Sequence, residues 1–309
     1  MQAKNSCDII ILSLKETIMD ILILALIPML SFFISDIIYK YCSQYFGYYT
    51  ITALAVGFGF IPMVILMVLG QLPIQNLILN YNLFALITVS SIFFLIGYIL
   101  NFKTLKTEQA TNTFALSQIQ SIMLILFGIL ILREQLEFMK IIAIIFLIVG
   151  SIFIITNEKL KINKQFGYAA FANISWGIYW FIITIVITTT SANPISTITL
   201  VRVIAFVFSL IFLVNFITKM KSRQPNPKKI SAKKKIIPIL FVAAVFDGMG
   251  NIFFVLVDKL NNLVLGSIFL AITPALIGIF AYIVFKDRFN KLQLLGLFII
   301  VSAGVLISL

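Results

Sequence analysis

The chain has 309 residues, 61% of them apolar and only 11% charged, with 23 basic residues against 11 acidic ones. No soluble fold has surface enough to carry that composition, so water-soluble globular classes are excluded. Histidine is absent and Cys7 and Cys42 are the only cysteines. With neither metal-ligand spacing nor a disulfide framework, no metal or cofactor is expected.

Residues 1–17 carry Lys4, Asp8, Lys15 and Glu16 around one short apolar run, Ile9 to Leu14. That run is too short for a cleavable signal core, so the segment is read as an exposed lead-in. Beyond it, apolar stretches near the length of about 20 residues that a bilayer demands recur along the chain. Ten spans are predicted: 18–41, 48–69, 83–102, 111–132, 140–156, 166–189, 194–218, 236–257, 262–285 and 291–308. The predicted class is an all-α, polytopic integral membrane protein, with the plasma membrane as its expected location.

Sliding the sequence on itself by 153 residues places Gly97 on Gly250, Lys106 on Lys259 and Arg133-Glu134 on Lys286-Asp287. This period predicts two five-helix repeats, 18–156 and 166–309, joined by a linker at 157–165. An odd number of spans per repeat inverts the second copy in the membrane, a common transporter plan with its binding site between the repeats.

Eight of the basic residues lie between Lys219 and Lys235. At a membrane face such a cluster meets anionic lipid, which is the expected partner of the 219–235 loop; nucleic acid is not. Counted over ten spans, one side holds 17 basic residues and the side with both termini holds five. The positive-inside rule puts the richer side in the cytoplasm and both termini outside.

Ionisable and polar groups inside the spans are costly there and are the functional candidates. Asp247 stands eleven residues into the eighth span, with Asn251 one turn on along the same face. Either they line a cavity, or Asp247 bonds a neighbouring helix. Arg202, in the seventh span, suits a bidentate clamp on a substrate carboxylate or a fixed bridge to Asp247. Asp36 precedes Lys40 by four residues, which fits a helical ion pair near the span's end or a proton carrier. Gln118 and Gln120 point to different faces, and Gln118, with Thr111 and Ser121, makes the more continuous polar stripe. Trp176, Tyr179 and Trp180 suit either ligand stacking or an interfacial belt, and Tyr98 with Asn101 completes the predicted lining. Neither a phosphate loop nor a nucleophile–base pair stands in the sequence, so catalysis and ATP-driven transport are not expected.

The end of the chain carries Phe246 to Asn251, Thr273-Pro274-Ala275, Lys286-Asp287, Leu295-Gly296 and Ala303-Gly304. Together with Gly167, Trp176-Gly177 and Arg202, it resembles the drug/metabolite transporter superfamily, EamA-like branch. The first half fits less closely, with Ser121 where Pro274 aligns. The resemblance implies a ten-helix secondary transporter of small organic metabolites, amino acid-like or related, working by alternating access. It also implies acidic hinges at Glu134 and Asp287, each expected to cap the helix that follows it. Proton coupling through Asp247 or Asp36 is one option; an uncoupled permease and a flippase for lipid-linked substrates are the alternatives. The resemblance places both termini in the cytoplasm, against the charge count.

Overall fold

A computed structural model describes residues 18–106, 116–155, 164–220, 227–260, 263–285 and 290–308. The first span is α1 (Ile18–Ser43), and the second is broken into α2 (Tyr48–Gly59) and α3 (Ile61–Leu69). A one-turn helix, α4 (Gln75–Leu79), precedes α5 (Tyr81–Leu105), the third span. Spans four to eight are α6 (Gln118–Leu130), α7 (Phe138–Ile155), α8 (Lys164–Thr189), α9 (Pro194–Met220) and α10 (Pro227–Lys259). The ninth, α11 (Leu263–Phe280), runs on as a π-helical turn over Ala281–Phe285, and α12 (Lys291–Ser308) is the tenth. The break in span 2 falls at Phe60, with Pro62 in the first turn of α3, where a missing N–H costs nothing.

Seven of the described helices are long and apolar enough to cross a bilayer, and Gln118–Leu130, Phe138–Phe153 and Lys291–Ala303 are shorter apolar ones. Large apolar side chains on the outer surface, among them Leu69, Phe138 and Phe298, are mostly exposed. In water such a surface would aggregate; in lipid it is solvated.

The helix packing has a twofold pattern. The most extensive contacts join span 3 to 6, span 1 to 8 and span 5 to 10. Next come 2 with 7 and 4 with 9, then 2 with 8 and 3 with 7, and 1 with 9 and 4 with 6. Exchanging each span n of the first half with span n+5 maps these contacts onto themselves. The 153-residue shift is therefore a spatial relation, and five spans per half make it an inverted one. Two glycines show it locally. At Gly97 a side chain would strike the Trp176 indole, and at Gly250 it would come within 2.8 Å of the Phe32 ring. The repeat-equivalent crossings, 3 with 6 and 8 with 1, thus each seat an aromatic ring on a bare backbone.

Candidate functional site

Between the halves lies a cavity of about 80 Å³. The first half contributes Phe32, Asp36 and Tyr39 from span 1, Phe94, Tyr98 and Asn101 from span 3, and Ser117, Gln120 and Ser121 from the start of span 4. The second contributes Asn173, Trp176, Tyr179 and Trp180 from span 6, Asp247 and Asn251 from span 8, and Leu270, Thr273 and Pro274 from span 9. Spans 1, 3 and 4 correspond to 6, 8 and 9, so the cavity is built on the axis that relates the repeats. At about 10–15 Å³ per water-sized particle, it has room for roughly five to eight such particles, the scale of a small metabolite.

One wall is an ion-pair network. Arg202 Nη2 donates to Asp247 Oδ2 at 2.8 Å. The same oxygen accepts from the Tyr98 hydroxyl and, at 3.4 Å, from the Tyr39 hydroxyl. Asn251 Nδ2 donates to Asp247 Oδ1 at 3.3 Å and to its own helix's carbonyl at Asp247, 2.7 Å away, while Asn251 Oδ1 accepts from the Tyr179 hydroxyl at 3.1 Å. Spans 1, 3, 7 and 8 are thereby tied at one carboxylate, and span 6 joins them through Asn251. Arg202 is fully buried and its guanidinium stands 5.0 Å from the centre of the Phe94 ring, on which it stacks as a cation. It lies behind the lining rather than in it, so of its two sequence readings the bridge to Asp247 is the one the structure adopts.

Asp247, Asn251, Trp176, Tyr179, Tyr98 and Asn101 all reach the cavity, as the sequence candidates required. Gln118 does not, and this corrects the sequence reading. It is 1% exposed and its Nε2 donates to the Ala271 carbonyl at 2.7 Å, bonding span 4 to span 9. Gln120, on the opposite face, lines the cavity instead. Thr111, the other member of the expected stripe, lies outside the described residues. Of the two readings of Asp36, the helical ion pair with Lys40 near the span's end is not the one formed. Asp36 faces the cavity, while Lys40 Nζ donates to the Leu105 carbonyl at 2.6 Å.

Glu134 caps a helix, but not the expected one. Its Oε1 accepts from Leu263 N at 3.0 Å and its Oε2 from Val264 N at 3.1 Å, at the start of α11 in the other half. Arg133, at φ 54°, turns the loop back, and Glu134 N bonds the Gly128 carbonyl at 3.1 Å. A carboxylate on two free amides at a helix N-terminus is the arrangement the helix dipole favours. Asp287, the equivalent hinge residue, lies outside the described residues.

Three features escaped the sequence reading. Asn173 lines the cavity with its Oδ1 unpartnered, and Trp176 likewise lacks an acceptor for Nε1. Pro274 lacks the N–H that would close the helical bond to the Leu270 carbonyl, and both residues line the cavity. Asp258, 1% exposed at the end of span 8, accepts from the Thr184 hydroxyl.

Among known proteins, the EamA-like transporter family matches residues 19–156 and again 165–309. A search among curated proteins found no match. Of the solved structures that match, one described as "Crystal structure of protein" aligns with a TM-score of 0.63 at 13% identity, covering 91% of this chain and 98% of that one. At that identity the likeness concerns the fold.

Proposed function

The chain belongs to the EamA-like transporter family, and from that premise we propose a secondary transporter that moves small organic metabolites by alternating access. It is an integral, multi-pass membrane protein and a transporter rather than an enzyme. The observation that carries the finer reading is the cavity lined in equal parts by the two halves. A site on the axis of an inverted repeat is equidistant from both membrane faces, so rocking one half against the other exposes it to each side in turn. The moving units are 18–156 and 166–309, with 157–165 between them. Glu134 couples them, since it belongs to one unit and holds the first turn of span 9 in the other.

Amino acid-like or related metabolites fit the cavity's size, and Asn251, Tyr179, Trp176, Tyr98 and Asn101 are the groups proposed to meet them. Asp36 is the better coupling candidate of the two carboxylates, because Asp247 is engaged by four donors and Asp36 by none among the described residues. The basic stretch at 219–235 is the proposed contact with anionic lipid.

Reconstituted liposomes loaded with a labelled metabolite panel test this reading. Uptake or efflux of at least one member, lost in Trp176→Ala, is expected. An imposed pH step that changes the rate supports proton coupling, and an unchanged rate identifies the uncoupled permease. A panel on which nothing moves, with phospholipid scrambled between leaflets, favours the flippase.

A further inference from the structure

The cavity holds two carboxylates with opposite surroundings. Asp247 is satisfied on both oxygens by Arg202, two tyrosine hydroxyls and Asn251. Asp36 faces the same space with no hydrogen-bond partner or ion pair among the described residues. No Lys or Arg is among the described residues that line the cavity. With Arg202 committed to Asp247, Asp36 is the carboxyl group in the described lining that is left without a partner.

We propose that Asp36 binds a small organic cation, an amine or quaternary ammonium, in the central cavity. This deepens the transport reading above and rests on it. A bare carboxylate within a bilayer is held at a cost unless something of opposite charge or a proton meets it. The walls around it suit an organic cation. Phe32, Tyr39, Tyr98, Trp176, Tyr179 and Trp180 present ring faces or edges, and aromatic boxes of this kind hold alkylammonium groups. The unpartnered Asn173 Oδ1 adds an acceptor and no positive charge. A small anion, by contrast, finds no free cation here, because Arg202 is fully buried behind the lining.

The chain's two tryptophans, Trp176 and Trp180, both line the cavity, so intrinsic fluorescence reports its occupancy directly. The purified full chain in lipid nanodiscs is titrated with choline, with its neutral isostere 3,3-dimethylbutan-1-ol, and with 3,3-dimethylbutanoate. Choline is expected to change the emission with at least about tenfold higher affinity than the alcohol, and the anion to give no response. Asp36→Asn is expected to bring choline down to the affinity of the alcohol without altering the alcohol itself, and Asp36→Glu to restore part of the difference. The charge preference of the wild-type protein is read without any variant, so it stands even where Asp36→Asn fails to fold. An alcohol or anion that binds as well as choline overturns the proposal and leaves the metabolite cavity standing. So does a folded Asp36→Asn that keeps the preference for choline. No response to any of the three probes overturns both.

Discussion

The Arg202–Asp247 pair is the place where stability and site geometry depend on the same atoms. At an effective permittivity near 20, opposite unit charges attract by about 4 kcal/mol at 4 Å and about 6 kcal/mol at the contact distance. Arg202 is fully buried, and its Nε and Nη1 have no hydrogen-bond partner. Asp247→Asn removes the charge that offsets the guanidinium and leaves it stranded, a change that costs about 3–5 kcal/mol in buried pairs. Asp247→Asn therefore acts on the fold first and on transport through it. Arg202→Met leaves an unpaired carboxylate that still accepts from Tyr98, Tyr39 and Asn251. It should cost less than Asp247→Asn. The double variant should lose less than the sum of the two, by at least about 1 kcal/mol, because the second substitution removes the group that the first had stranded. Unfolding free energies from detergent titration in mixed micelles give the three values. Single variants within about 0.5 kcal/mol of wild type, or strictly additive losses, would refute the reasoning.

Glu134→Ala frees the Leu263 and Val264 amides at the head of span 9 and should destabilise by about 1–2 kcal/mol, with slower transport; a variant equal to wild type in both assays removes the cross-repeat cap. Gly97→Leu pushes Trp176 out of its seat, so tryptophan emission should shift and ligand response should fall, whereas an unchanged emission spectrum would show that the ring does not rest there. For orientation, a cysteine at Asn226 in a background lacking Cys7 and Cys42 should resist a membrane-impermeant maleimide in intact cells if the basic side is cytoplasmic. Ready labelling supports termini inside, as the family resemblance implies.

The sequence by itself determined the class, the ten spans and the repeat. All three depend on quantities that run along the chain: apolar length, the spacing of charges and a period of 153 residues. Depth is legible in the same way, and Asp247 stands midway along its span, 236–257, as counted from the sequence. Only the tertiary structure decided which way each helix is rotated about its own axis. In a soluble protein the polar face marks that rotation; in lipid the outer surface is as apolar as the core, so the pattern carries little of it. Gln118 and Gln120, Asp36 on the cavity rather than at the surface, and Arg202 behind the lining were all questions of rotation. Glu134 was a question of partner, settled by a loop that turns back at Arg133 to reach a helix 129 residues further along the chain.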